Sequence, residues 1–459
     1  MQQVEVKSTP NFCYIQNPDG NFKVIRMLDK ELKLSVPGAF FAPSYGKTWD
    51  GYAHFITPKG RFLTGLLDLV TEVCVKHDIE VSVVNAPPEF DYDLDLSLNG
   101  IELRQYQKEA VLASLEARRG ILSLATNAGK TEIAIALINS LKKVGQTLWL
   151  THSLDLAEQS SKRILGRTGL PVSLAYKGKY DLSGRIVVST VQTMSKKLAH
   201  YTEVLSWLNK VPIVILDECH LGSADTWIKV VSACEKAYFR FGLSGTPYTD
   251  DKIRNRKLTG LLGPVIYHIG NMDLIDLDVS AVPTVFVIPF QHKEYLDYQL
   301  AVSRGVVHNI ERNNQIINVL RKAEPHTKGL VMVQYISHGN NLESLCKEAG
   351  VKAKFVSGND TLETRISLLE ELKSGELNFL ISTNIFDLGI DVPELDWVFL
   401  ASPTKSVTRV LQRIGRVLRK STTKDKALVY MFQDEGDFFL KSASHKMLRI
   451  VKAEGFEII

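Results

Sequence analysis

The chain has 459 residues, 45% of them hydrophobic and 23% charged, and a formal net charge of +4. That balance is ordinary for a soluble globular protein, and as a prior the length suggests about three domains. A charge this close to neutral excludes a global cationic field, so any nucleic-acid contact must come from local basic patches.

In chain order, residues 1–95 read as short alternating strands with several glycines and many aromatics. They close on Ala86-Pro87-Pro88-Glu89-Phe90-Asp91, an acidic, proline-bearing linker. Over 96–278, apolar strand runs alternate with helix-period segments. Leu148-Trp149-Leu150, Ile186-Val187-Val188 and Val211-Pro212-Ile213-Val214-Ile215-Leu216 are continuous in apolar character. Such runs suit a parallel sheet covered on both faces. The alternation resumes over 279–459, with strands expected at Gly329-Leu330-Val331-Met332-Val333, Phe379-Leu380-Ile381-Ser382 and Trp397-Val398-Phe399-Leu400. Between the two α/β regions, residues 292–322 read as a long polar helical stretch in which Arg312 and Asn313 either contact DNA or cap a helix surface. His152 and His338 read as polar loop residues after strands, and Phe438-Phe439 as an anchor for the final helix. Cys13, Cys74, Cys219, Cys234 and Cys346 are odd in number and widely spaced, which fits reduced thiols in a cytoplasm-like compartment. No signal-peptide core opens the chain, and no apolar run approaches the roughly 18 residues of a membrane span.

Two segments carry chemistry. Leu124-Ala125-Thr126-Asn127-Ala128-Gly129-Lys130-Thr131 follows an apolar strand and leads into the helix-forming Glu132-Ile133-Ala134-Ile135. Backbone N–H groups at a strand–turn–helix junction converge on one spot, and the helix dipole adds positive potential there. Thr126 to Glu132 are therefore the expected ATP-binding stretch, with Lys130 on the terminal phosphates and the Thr131 hydroxyl on Mg²⁺. The general phosphate-loop pattern has a glycine where Leu124 stands, so by itself the segment also reads as an ordinary junction with a solvated lysine. The second segment, Asp217-Glu218-Cys219-His220, ends an apolar strand. Two carboxylates there are costly unless a cation joins them. Asp217 suits Mg²⁺, and Glu218 suits orienting or deprotonating an attacking water. The two segments in this order point to a nucleotide triphosphatase using ATP and Mg²⁺.

Together with Ser244-Gly245-Thr246, Ile381-Ser382-Thr383 through Gly389-Ile390-Asp391-Val392-Pro393, and Gln412-Arg413-Ile414-Gly415-Arg416-Val417-Leu418-Arg419, these segments resemble motifs I, II, III, V and VI of superfamily 2 helicases over residues of about 100 to 435. The resemblance implies two tandem RecA-like parallel-sheet domains, here preceded by a small α+β domain. It implies adenine recognition by Arg104 and Gln107, and backbone contacts to nucleic acid by Ser153, Thr190 and Thr383. It places Gly389 and Asp391 near the nucleotide, and gives Ser244, Thr246 and His220 the coupling of nucleotide state to domain closure. On a helix, Gln412, Arg413 and Arg416 share a face, and Arg419 lies one turn beyond Arg416. Guanidiniums at Arg416 and Arg419, with Gln412, would stabilise charge developing on the γ-phosphate.

The Trp49-Asp50-Gly51 segment and the small domain ahead of a compact motor resemble UvsW-type phage recombination helicases. That implies remodelling of forks, Holliday junctions and R-loops, acting as a monomer in the cytoplasm, alongside replication or recombination proteins. In this first region two readings stand side by side. Lys47, Lys59 and Arg61 meet phosphates while Trp49 or Phe62 stacks on a base; or Trp49, Tyr52, Phe55 and Phe62 form a small core and the cations are simply solvated. The motor motifs alone leave open a duplex translocase or RNA-directed helicase, and a non-hydrolysing ATP-liganded clamp.

Overall fold

The computed structural model describes residues 2–38, 49–85, 87–176, 179–383, 395–404, 406–415, 417–418, 420 and 426–459. The chain forms two compact units, one of Met1–Leu124 with Gly129–His268, the other of Ala125–Ala128 with Ile269–Ile459. The opening region belongs to the same compact unit as the α/β region that follows it. The boundary between the two α/β regions falls at Ile269, ahead of the helix Asn271–Asp276.

The opening region is a four-stranded mixed sheet. Gln2–Ser8 pairs antiparallel with Phe12–Ile15 and parallel with Ile79–Val84, and Arg61–Leu63 completes the edge. The helix Phe22–Leu32 buries Val24, Ile25, Leu28 and Leu32, the spacing of a single helical stripe, against Val4, Val6, Ile15 and Phe62 of the sheet.

A lone cation locks this sheet to its neighbour. Arg240 sits in the fully buried strand Phe239–Ser244. Its guanidinium donates to the carbonyls of Ala237 (2.9 Å) and Cys234 (2.8 Å) and to Oδ1 of Asn11, while Nδ2 of Asn11 donates to the Ser232 carbonyl at 2.7 Å. Burial, reinforced by the nearby Arg119 charge, pushes the Arg240 guanidinium down to about 9. Arg119 repeats the device, donating to the carbonyls of Pro10, Leu261 and Leu262. Any side chain at Gly65 would strike the backbone of Thr259 and Gly260, so the two backbones meet directly there.

The rest of the first unit is an eight-stranded sheet whose central strands Thr147–Thr151, Ile186–Thr190, Ile213–Asp217, Phe239–Ser244 and Arg119–Leu124 run parallel. All five residues of Ile213–Asp217 are buried, as a strand covered on both faces requires. The helix Lys130–Ser140 is buried along its whole length from Ile133 to Ser140 and so lies at the centre of its layer.

The second unit holds a seven-stranded sheet in which Ala353–Val356, Phe379–Ser382, Gly329–Met332, Trp397–Leu400, Lys426–Glu435 and Val282–Gln291 are all paired parallel. The stretch read as one long polar helix is broken. It contains the short helix Tyr298–Val302, a wide turn at Ser303–Val307, and the helix Ile310–Leu320. Arg312 in that last helix is neither a DNA contact nor a surface cap. It is fully buried, with Nη1 donating to the Ala401 carbonyl at 2.7 Å and Nε 3.2 Å from Asp434. His338 is likewise no loop residue; it is buried in the helix Ile336–Glu348 against Asn313 (3.0 Å). Among the described residues, no helix is long and apolar enough to cross a membrane.

Candidate active site

The turn between Arg119–Leu124 and Lys130–Ser140 holds two residues in the left-handed region, Asn127 at φ 74° and Gly129 at φ 78°. Asparagine tolerates that conformation better than most residues, which is how the loop does without a further glycine. Gly129 is the N-cap of the helix, and the Gln107 amide packs so close that any side chain at Gly129 would run into it. Gln107 is itself fixed, its Oε1 accepting from the backbone N–H of Arg104 at 2.9 Å. The residues expected to recognise adenine thus abut the expected phosphate loop. The Arg104 guanidinium turns to the Tyr106 hydroxyl at 3.3 Å.

Lys130 occupies the first position of the helix, and its Nζ lies 3.6 Å from Oε1 of Glu218. Glu218 follows the last residue of Ile213–Asp217 and takes a left-handed conformation, φ 54°, which breaks the strand and turns its carboxylate back over the sheet edge. Its other oxygen lies 3.2 Å from Nδ1 of His220, and that nitrogen is 3.3 Å from the Ser244 hydroxyl. The same hydroxyl accepts from the Thr246 N–H at 3.2 Å. Lys130, Glu218, His220, Ser244 and Thr246 therefore form one connected chain of polar contacts across three strand ends.

The electrostatics are short of positive charge. Burial, reinforced by the neighbouring Glu218 charge, pushes the Asp217 carboxyl up, although Lys130 opposes this. Burial acts on Glu218 as well, but Lys130 and the His220 hydrogen bond outweigh it and hold that carboxyl low. Two adjacent carboxylates, Asp217 buried and Glu218 half-buried, beside the Lys130 ammonium form a donor set for a hard divalent cation. Mg²⁺ is characteristically held by one or two carboxylates, with substrate phosphates and waters completing the octahedron. The residues present fit that ion.

Other expected site residues take defined positions. Thr131 is half-buried in the first turn of the helix. Glu132 bridges to the next helix, its carboxylate 3.4 Å from Arg167 and 3.7 Å from Arg163. Ser153 and Thr190 are helix N-caps whose hydroxyls accept from the N–H groups of Leu156 (3.4 Å) and Thr193 (3.3 Å). Thr383 follows the strand Phe379–Ser382 and is half-buried. Lys47, Gly389, Asp391, Arg416 and Arg419 lie outside the described residues, as does the side chain of Gln412.

In the opening sheet the two readings divide. Phe62 is core at 2% exposure, whereas Trp49 is 52% exposed and Lys59 and Arg61 are solvent-facing. Arg61 borders a cavity of about 1020 Å³ between this sheet and the helices Asp225–Ser232 and Lys252–Leu262. Its walls combine Ile25, Met27, Ile56 and Ile228 with the cations Arg26, Lys30, Arg61 and Lys257. None of these four cations has a carboxylate partner among the described residues. The sequence carried a signal for this surface that composition hides: Arg26, Lys30 and Lys33 recur at spacings of four and three, one face of a helix.

Two α/β sheets of this type, with a lysine-headed loop and a strand-end Asp-Glu pair, define a nucleic-acid-dependent ATPase motor. The chain belongs to the superfamily 2 helicases. Residues 100–249 match the family described as Type III restriction enzyme, res subunit, and residues 311–421 match the helicase conserved C-terminal domain. The ATP-dependent DNA helicase uvsW of Enterobacteria phage T4 is 27% identical over 437 residues, 88% of this chain and 85% of that protein. Putative helicase 22 of a Sulfolobus islandicus filamentous virus is 28% identical over 384 residues, 77% of this chain and 68% of that one. Among solved structures, Dbp5 of S. cerevisiae, bound to RNA and ADP BeF3, overlays with a TM-score of 0.56 at 16% identity, covering 78% of this chain and 90% of that one. That likeness concerns the fold: two tandem RecA-like domains. The protein is an ATP-hydrolysing helicase or translocase of DNA.

Proposed function

We propose that this motor remodels branched DNA, coupling ATP hydrolysis to fork regression and branch migration. The observation that carries the ATPase half is the contact between Lys130 and Glu218 at 3.6 Å, at the mouth of a helix capped by Gly129. Lys130 and the loop N–H groups of residues 126–131 bind the triphosphate, Thr131 and Asp217 hold Mg²⁺, and Glu218 orients the attacking water. Mg²⁺ supplies charge neutralisation on the phosphates. Arg416 and Arg419, with Gln412, complete the set from the second domain, where Gly389 and Asp391 also approach the nucleotide. Ser153, Thr190 and Thr383 contact the DNA backbone, and Ser244, Thr246 and His220 transmit nucleotide state.

The branch-specific half is supported by the opening sheet. It is fastened to the motor domain by Arg240 and Arg119 and flanks a cavity lined by Arg26, Lys30, Arg61 and Lys257, which have no carboxylate partner among the described residues, and by Lys33, which pairs with Asp50. Apolar walls with a cationic rim suit unpaired nucleotides of a junction, the bases against the walls and the phosphates on the rim. Trp49 and Lys59 extend that surface. All five cysteines are free and buried, in keeping with a reducing cytoplasm.

The test compares ATPase stimulation by single strands, plain duplex, RNA, a model fork and a four-way junction, together with ATP-dependent conversion of the last two. The expected ranking puts the branched substrates first. Lys30→Glu with Lys257→Glu should erase that preference while single-strand stimulation persists. Equal stimulation by plain duplex and junction would establish a duplex translocase instead.

A further inference from the structure

His152 is used by none of the roles above. It follows the strand Thr147–Thr151, whose register with Ile213–Asp217 pairs Thr147 with Ile213 and Leu150 with Leu216. The pairing ends there, so His152 and Glu218 each lie two residues beyond the last paired position, Leu150 with Leu216, on neighbouring strands. On its other side the strand pairs Thr151 with Thr190. The turn that carries His152 is tightly held. The Thr151 hydroxyl donates to the Ser153 carbonyl at 2.9 Å, and the Ser153 hydroxyl caps the helix Leu154–Thr168. Within this turn both ring nitrogens of His152 are buried and neither has a hydrogen-bond partner. An imidazole offers a donor at one nitrogen and an acceptor at the other, and leaving either buried and unmet is costly. Groups left in that condition in a native structure call for an explanation, and a catalytic role is one of the recognised ones. Here the nearest chemistry is Glu218, whose carboxylate is engaged by Lys130 and His220. The Glu218 charge acts on the His152 ring, which burial otherwise holds below its ordinary value.

We propose that His152 is a positioning residue that links the Ser153 turn to Glu218: when a nucleic-acid phosphate occupies that turn, a ring N–H of His152 hydrogen-bonds the Glu218 carboxylate and draws it off Lys130. The proposal rests on the reading of Glu218 and Ser153 given above. Two consequences follow from the one motion. Lys130 is released toward the phosphates, and Glu218 gains a neutral donor beside His220, with carboxylate lone pairs still available to orient water. Turnover then rises when nucleic acid is bound, with little change in affinity for ATP.

The experiment uses the full chain with a single-stranded oligonucleotide as the activator. His152→Leu fills the same space and removes the unmet nitrogens, and His152→Gln keeps a donor of similar reach. Basal ATPase and the KM for ATP should stay within about twofold of the parent in both variants. For His152→Leu, the stimulated kcat should fall at least about fivefold, the lower bound of ordinary coupling between sites. His152→Gln should recover part of it, and thermal unfolding of His152→Leu should occur at or above the parent temperature. Parental stimulation in His152→Leu overturns the proposal. So does an equal fall in basal and stimulated rates, which marks a structural role. If instead the parent protein shows no stimulation by any nucleic acid, the failure belongs to the reading of the motor and not to His152.

Discussion

Two buried charge clusters, one in each unit, are built on opposite plans. In the second unit, Arg312 and Asp434 neutralise each other one for one. Nε of Arg312 lies 3.2 Å from Asp434, Nη1 donates to the Ala401 carbonyl, and the guanidinium stacks 3.9 Å from the Phe432 ring. Nε2 of His292 closes on the same carboxylate at 2.8 Å, and the Asp434 N–H finds the Ser444 hydroxyl at 3.0 Å. Burial works to raise the Asp434 carboxyl, but Arg312 and His292 win and hold it low. In the first unit, Asp217 and Glu218 stand side by side with Lys130 and His220 against Glu218, and burial with the Glu218 charge drives Asp217 up. The difference separates structure from chemistry. A cluster that holds a fold together balances its own charge, whereas one built for a substrate leaves a surplus for the ligand to neutralise.

That contrast is open to attack at both ends. The largest expected effect is on chemistry: Lys130→Ala should lower ATP turnover by about 10²–10³-fold or more, the scale of losing one charge-stabilising donor. Its melting temperature should stay near that of the parent, because Lys130 closes no self-sufficient network. A large loss of stability would erase the distinction.

The converse holds for Arg312→Met. Breaking a buried pair from one side costs about 3–5 kcal/mol. Denaturant titration should show a loss of that order, and Arg312→Met combined with Asp434→Leu should restore much of it. A single variant costing under about 1 kcal/mol would mean that the pair is not structural.

A smaller effect is expected where the opening sheet meets its neighbour. Asn11→Ala strips Arg240 of a side-chain acceptor and should cost about 1–3 kcal/mol in the same titration. An unchanged midpoint would show that the sheet is held by packing alone.

The smallest effect, within a pH unit of neutrality, concerns titration. Burial pushes the His338 imidazole down to about 3, with Arg312 adding to the shift. Its unfolded value is about 6.5, so on acidification the unfolded chain takes up the proton first. Stability should therefore fall as pH drops from about 6.5 toward 3, by no more than about 1.4 kcal/mol per pH unit from this group. His338→Gln should flatten that part of the stability–pH curve, and an unchanged slope would assign the pH dependence to other groups.

Much of this was legible in the chain itself, and the reason is locality. Ile213-Val214-Ile215-Leu216 announces a covered strand, and Asp217-Glu218 at its end announces an uncompensated charge within a few residues. Asn127 and Gly129 likewise reveal the turn by their own backbone preferences. What escaped is non-local. Arg240 meets Asn11 across 229 positions, and nothing in either neighbourhood names the other. A lone arginine inside Phe239-Arg240-Phe241 does say that a buried cation needs acceptors, but not where they come from. Arg312 misled for the same reason, because a polar helix reads as exposed until Asp434, 122 positions on, is brought beneath it.

Nucleotide binding and steady-state turnover of Glu218→Gln, measured on the same preparation, bear on the whole picture at its root. The substitution keeps the shape of the site and removes a single charge. ATP should bind at least as tightly as to the parent, since the excess of negative charge is relieved, while DNA-stimulated hydrolysis falls by two or more orders of magnitude, in keeping with a lost general base of about 10²–10⁴ in rate. Parental turnover in this variant would contradict the assignment of the strand-end carboxylates as the catalytic centre.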